Sequence, residues 1–348
     1  MEEFSVRRAA DVFLERGMSA EEDLELIDAI IYGDAFDCAV TFDEIWRYSR
    51  VRATRAQMLE CLGRLTLRNL IGERGGLYFL AGREPLADRR NERRNRAQRL
   101  RKRARNVSRF LQHAPFVRGI LLTGSVAADD AEKDADVDIL VIVAEGRIAL
   151  AFLVLAPLSR VVSRRIFCPN YYLSQSHLSV PRHDRYVARE LLQAQPLTHR
   201  ADALLAANPW AQEQLPNACP TTHPLQLSPG GTILQRILEF PFGRRLGAVC
   251  EQKARRIVTS RLLAHYGSFL VQVPDDVQQR FELGIELRFH GAPRVNHCLE
   301  RYQRTRAELA RRLEEASQSM KARLASDQFN STSEELSKDL KTIARTTG

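Results

Sequence analysis

Gly119-Ile120-Leu121-Leu122-Thr123-Gly124-Ser125 is followed, after ten residues, by Asp136-Val137-Asp138-Ile139-Leu140-Val141-Ile142-Val143. Two apolar runs, the first ending in a Gly-Ser turn, predict two strands joined by a polar loop. Successive strand side chains take opposite faces, so Asp136 and Asp138 share one side and Val137 and Ile139 the other. The two carboxylates then lie about 7 Å apart along the chain, two rises of ~3.3 Å. Like charges this close raise each other's pKa unless a cation sits between them. Mg²⁺, or Mn²⁺ in its place, is the natural candidate, because it takes hard oxygen ligands from one or two carboxylates and completes its shell with water and phosphate. Gly124, having no Cβ, allows close backbone approach to a phosphate. Ser125 adds a hydroxyl and an N–H at the start of the following turn.

Leu122-Thr123-Gly124-Ser125 with Asp136-Val137-Asp138 resembles the signature of the DNA polymerase β superfamily of nucleotidyltransferases. The likeness covers about residues 100–175. It implies an α/β (α+β) fold with a small mixed-sheet core, and Mg²⁺-dependent transfer of a nucleoside monophosphate from an NTP such as ATP, with release of pyrophosphate. Asp136 and Asp138 would be the catalytic, metal-holding acids, and Gly124 and Ser125 would position the β- and γ-phosphates. The acceptor is not named by any motif. Active members commonly carry a third carboxylate on a later strand, whereas the third strand here reads Ile166-Phe167-Cys168-Pro169-Asn170-Tyr171-Tyr172-Leu173 and has no acid. Asn170 on that strand, or Asp184 or Glu190 beyond it, are the candidates to supply an oxygen. The gap keeps open a regulator with a degenerate core that senses a nucleotide or binds nucleic acid, and an adaptor that docks a protein partner.

Composition sets the frame. The 348 residues suit two or three domains, and 44% hydrophobic with 27% charged residues is ordinary for a folded protein. A formal charge of +9 points to an acidic partner, nucleotide, nucleic acid or anionic membrane. Six cysteines without a Cys-x-x-Cys pair argue against a zinc site or a disulfide framework and fit a reducing, cytoplasmic setting. The apolar run Ile148 to Val162 is shorter than the ~20 residues a membrane span needs, and reads as a buried helix.

Five segments are expected. Residues 1–82 read as three helices and a hairpin, with a Thr41/Glu44 capping box and a Gly75-Gly76 turn, an order similar to a winged-helix domain. Its third helix is expected to turn Met58, Leu62, Leu65 and Leu67 inward and Arg55, Arg64 and Arg68 outward, where such a helix can meet DNA. Residues 83–99 form a basic helical linker. From Asp88 to Arg109 eleven Lys or Arg face two acids, an excess of nine that equals the net charge of the whole chain. Its first half is expected to have no side to bury, which offers Arg90, Arg93 and Arg94 to nucleic acid. Residues 100–196 are the nucleotidyltransferase-like core, whose acidic loop Asp129 to Asp134 reads as solvated. Residues 197–315 form a helical region, including a helix bearing Leu246, Val249, Ile257 and Leu263 and a last helix striped by Leu299, Tyr302, Leu309 and Leu313. Residues 316–348 read as a mobile tail. His290, His297 and Cys298 match no ligand spacing.

Overall fold

A computed structural model describes residues 20–163, 166–198, 201–218, 231–267, 274–289 and 295–319. The predicted helical start spans α1 (Ala20–Ala35), β1 (Val40–Thr41), α2 (Phe42–Arg47), α3 (Arg55–Leu67), β2 (Ile71–Arg74) and β3 (Leu77–Leu80). The strands form an antiparallel sheet in the order β1-β3-β2. Thr41 and Glu44 form the expected capping box, and Thr54 with Gln57 forms a second at the start of α3. Gly75 and Gly76, at φ 61° and 78°, make the left-handed pair that a two-residue hairpin turn requires.

Two residues of α3 reverse the expected faces. Leu67 is exposed, while Arg64 is buried and gives Asp23 a 2.6 Å ion pair between side chains only 2% and 3% exposed. Met58, Cys61, Leu62 and Leu65 alone make the apolar stripe, and Arg64 is drawn in beside it by its buried partner. Arg55 pairs with Asp43 and lies over the rings of Phe42 and Trp46.

One helix, α4 (Pro85–Leu111), spans both the expected linker and the start of the core. Its first half is not bare: Leu86, Ala87 and Arg90 are buried. A five-stranded mixed sheet follows, in the order β7-β4-β5-β6-β8: β4 (Val117–Leu122), β5 (Asp138–Val143), β6 (Cys168–Ser174), β7 (Gln195–Pro196) and β8 (Glu286–Arg288). Only the β5–β6 pair is parallel. The short edge strands β7 and β8 are not among the predicted elements; at two residues β7 shows no alternation, and at three β8 shows only a brief one.

Both faces of β5 are covered, which is why it reads as an unbroken apolar run. Ile139, Val141 and Val143 enter a core with α4, α6 (Ile148–Val162) and α11 (Arg244–Gly267), the last following α10 (Gly231–Glu239). Leu140 and Ile142 enter the other, with α7 (Arg185–Gln193), α8 (Ala201–Ala206) and α9 (Trp210–Gln214). Glu251 of α11 accepts the Ala149 and Leu150 N–H groups at 2.9 and 3.0 Å, capping α6 from outside. Helix α11 packs through Ala254, Val258, Leu262 and Tyr266, so the expected stripe of Leu246, Val249, Ile257 and Leu263 faces outward.

Helical residues 295–319 return to the amino-terminal unit, where Leu309 and Leu313 join its core and Arg301 bridges Asp34 and Asp37. The unit also grips α7: the Arg189 guanidinium lies 4.3 Å from the Tyr32 ring centre and 4.6 Å from that of Tyr48. Arg185 pairs with the fully buried Asp28. Most of the expected tail, residues 320–348, and His290 lie outside the described residues. No described helix is long and apolar enough to cross a membrane.

The buried pair in the amino-terminal unit gives a stability prediction. Arg64→Ala leaves Asp23 uncompensated in the core and lowers unfolding free energy by about 3–5 kcal/mol. Urea denaturation followed by circular dichroism is the measurement.

Candidate functional site

The site is built at one end of β4, β5 and β6. Strand β4 ends at Leu122, opposite Ile139, and Thr123 N–H donates to the Asp138 carbonyl at 2.9 Å. The chain then turns through Gly124 at φ +67°. A Cβ at Gly124 would stand 2.4 Å from Asp138 Oδ2, so the glycine is required both by its backbone angle and by the carboxylate against it.

The regular strand starts at Asp138 rather than Asp136, because no ladder pair on either neighbour reaches further back. The alternation still holds at its approach. Val137 is buried and Asp136 and Asp138 are half-buried, and Val137 accepts the Cys168 N–H at 2.8 Å.

Asn170 reaches the acids through an irregularity of β6. The parallel register runs Ile139 with Pro169 and then Leu140 with Tyr171, leaving Asn170 as the extra residue of a bulge. Bulges re-aim side chains. Here the Asn170 amide donates to Asp138 Oδ1 at 2.5 Å.

Burial first, and the Asp136 charge second, push the Asp138 carboxyl up to about 7, with the Asn170 amide pulling the other way. A carboxylate held from water beside a second one is the electrostatic setting that a divalent cation relieves. Asn170 Oδ1 is buried and has no hydrogen-bond partner among the described residues. The two carboxylates are hard-oxygen donors that fit Mg²⁺ or Mn²⁺, with Asn170 holding one of them through its amide N–H. No group of three or more His, Cys, Asp or Glu with metal-binding geometry occurs among the described residues, so the acid pair is not completed by a third acid.

Asp138 and Asn170 form the wall between two cavities. One, of about 400 Å³, counts Gly124, Tyr186, Glu190, Arg182 and Arg288 among its lining residues. The second, of about 510 Å³, includes Asp136, Ser159, Arg261 and His265. Glu190 does not approach as a third acid of the pair: its Oε2 accepts the Gly124 N–H at 3.0 Å, and its Oε1 accepts from Gln193 at 2.6 Å. Asp184 caps α7, accepting the Val187 N–H at 2.9 Å. Ser125 follows Gly124 in the short helix α5 (Gly124–Ala127) and does not line the 400 Å³ cavity.

The acidic loop is solvated at Glu132, Lys133 and Asp134, but its start is drawn in by arginines. Asp130 pairs with Arg90 and Arg93, Glu132 with Arg93 and Asp129 with Arg101. Arg90 also pairs with Glu44 and is 3% exposed. Arg90 and Arg93, expected on nucleic acid, are therefore internal clamps, while Arg94 is exposed. Arg182, Tyr186 and Arg288 were not singled out from the sequence. For Arg288 the readable signal is the alternation of Ile285-Glu286-Leu287-Arg288-Phe289, which marks β8 and places one cation beside the cavity.

A mixed sheet with a glycine turn and an acid pair at the ends of adjoining strands defines the class as a nucleotidyl-transfer domain. The family model described as the nucleotidyltransferase domain matches residues 102–189, and the chain carries that domain, consistent with the DNA polymerase β superfamily. No curated protein and no solved structure gives a match to the chain.

Two predictions follow from the geometry. Asp138 is raised from the usual 3.8, so the folded protein holds a proton that the unfolded chain releases, and stability declines as pH rises from that value through about 7. In metal-free protein Asp138→Asn removes this decline, and its melting-temperature advantage over wild type widens between pH 5 and 8 by thermal scans, with both pH values taken as about one to two units either side of the window's upper end. Gly124→Ala, strained at φ +67° and driven against Asp138, displaces the carboxylate and lowers the melting temperature in thermal scans.

Proposed function

We propose that the chain is a divalent-metal-dependent nucleotidyltransferase that moves a nucleoside monophosphate from an NTP to an acceptor hydroxyl or phosphate. The observation that carries this reading is the nucleotidyltransferase match over residues 102–189, together with the Asp138 carboxylate standing against the Gly124 turn.

The 400 Å³ cavity is the nucleotide site, with Tyr186 and apolar side chains for the base and sugar and Arg182 and Arg288 for phosphate charge. The Gly124 N–H is a phosphate contact, and an entering phosphate displaces the Glu190 carboxylate that accepts from it. Ser125 adds its hydroxyl once that turn is engaged. Asp136 and Asp138 hold the metal, with Asn170 fixing the Asp138 carboxylate. When bound, the metal neutralises the triphosphate and stabilises charge on the attacking and leaving oxygens. The acceptor oxygen, entering from the 510 Å³ cavity, bonds to the α-phosphorus and loses its proton to solvent. The bond from that phosphorus to the α,β-bridging oxygen breaks, and pyrophosphate leaves with the electron pair. Alignment of these groups by the two cavities is the main contribution of the protein to phosphoryl transfer.

The amide at position 170 favours a second reading, a nucleotide sensor that binds Mg²⁺–NTP without turning it over. The winged-helix-like order of the amino-terminal unit fits a regulator, with cytoplasmic residence expected for either. The test is pyrophosphate release with each Mg²⁺–NTP and candidate acceptors. Asp136→Ala with Asp138→Ala is expected to lower metal-dependent turnover by at least ~10³-fold, since each charge-stabilising element contributes at the ~10²–10³ level. Unchanged turnover in that variant overturns the transferase assignment. Nucleotide binding without turnover, joined to turnover gained by Asn170→Asp, selects the sensor.

A further inference from the structure

Helix α4 carries two kinds of arginine. Those facing the protein are neutralised: Arg90 and Arg93 by Glu44, Asp130 and Glu132, and Arg101 by Asp129. Arg96 gives its guanidinium to the Ala131 carbonyl at 2.8 Å. Arg94, Arg99, Lys102, Arg103, Arg105 and Arg109 are exposed, and no acid among the described residues lies within ion-pair distance of them. No Asp or Glu occurs in the sequence between Glu92 and Asp129, so helix neighbours offer these six cations no i,i+4 partner on the C-terminal side.

The arrangement is linear. Arg99, Arg103, Asn106 and Phe110 are spaced four, three and four residues apart and form one row, and Gln98, Lys102, Arg105 and Arg109 form the row beside it. From Arg94 to Phe110 the strip runs about 24 Å at ~1.5 Å per residue. Phe110 is 78% exposed at its end. Phe110 is the one exposed apolar side chain of this face, with none exposed between Arg89 and Arg109, and a lone ring lacks the apolar stripe by which an amphipathic helix lies in a bilayer. Cations in rows, interleaved with the amides of Gln98 and Asn106 and ended by an open aromatic ring, match a phosphodiester backbone with unstacked bases.

We infer that the exposed face of α4 from Arg94 to Phe110 is a binding surface for single-stranded nucleic acid, with the cations on phosphates and Phe110 stacking on a base. The inference does not depend on transferase activity. One helical turn along, Arg101 donates to the Val126 carbonyl at 3.1 Å, so the strip adjoins the turn that follows Gly124.

The test is fluorescence anisotropy of a labelled oligo-U strand with the full chain across a salt series, without nucleotide. Wild type binds with an affinity that falls linearly in log salt. The triple variant Arg99→Ala, Arg103→Ala, Arg105→Ala keeps its circular dichroism and melting temperature, binds at least ~tenfold more weakly and has a salt slope shallower by about 2, three contacts at ~0.7 each. Phe110→Ala binds about tenfold more weakly with the slope unchanged, the signature of lost stacking rather than lost charge. Three results overturn the inference: no binding of oligo-U by wild type, equal affinity in the triple variant, or binding to phosphatidylserine vesicles with none to the oligonucleotide.

Discussion

The contact on which the site depends is the closure of the Gly124 backbone against the Asp138 carboxylate. A Cβ added at Gly124 would run into Oδ2 of the Asp138 carboxylate, and φ +67° strains any side chain there, so a glycine suits the turn on both counts. The β6 bulge completes the arrangement by turning Asn170 onto the other oxygen. Asp138 is thus held from two sides by backbone and amide, and its charge is left as the quantity that a cation must balance.

Around this centre the unit boundaries are bridged by buried or half-buried arginine pairs. Arg90 joins α4 to Glu44 of the amino-terminal unit and to Asp130 of the loop beyond Gly124. Arg189, on the helix that carries Glu190, lies over Tyr32 and Tyr48. Arg301 returns from the last described helix to Asp34 and Asp37. Such pairs bring little net stability over apolar packing, but each is costly to break singly, so they favour one mutual placement of the parts. The charge excess of the sequence is divided accordingly. Inward arginines hold the units together, and the outward ones of α4 remain as an unneutralised strip.

Elements with their own local signals were legible in advance. The Thr41/Glu44 capping box, the Gly-Gly hairpin, the apolar β5 and the Gly-Ser and Asp-x-Asp spacing each lie within a few residues of chain. What failed did so where a distant partner decided the outcome. Arg64 was assigned outward because a lone arginine prefers water, and it is inside because Asp23 is there. The face of α11 departs from the expected one because two stripes compete on one helix, and the smaller one, led by Ala254 and Val258, packs against α6.

By itself the sequence determined the class of the domain, since a Gly-Ser turn after an apolar strand and a pair of acids two residues apart are each properties of residues close in the chain. The tertiary structure alone decided how the site is completed and which charges are free. Asn170 meets Asp138 only through the parallel pairing of β5 with β6 and the bulge within it. Glu190 meets Gly124 only because α7 packs across the end of the sheet. The basic run becomes clamp on one side and open strip on the other because an acidic loop from beyond β4 lies along one face of a single continuous helix. Periodicity assigns residues to faces, but the pairing of charges remote in sequence is fixed only when the chain folds.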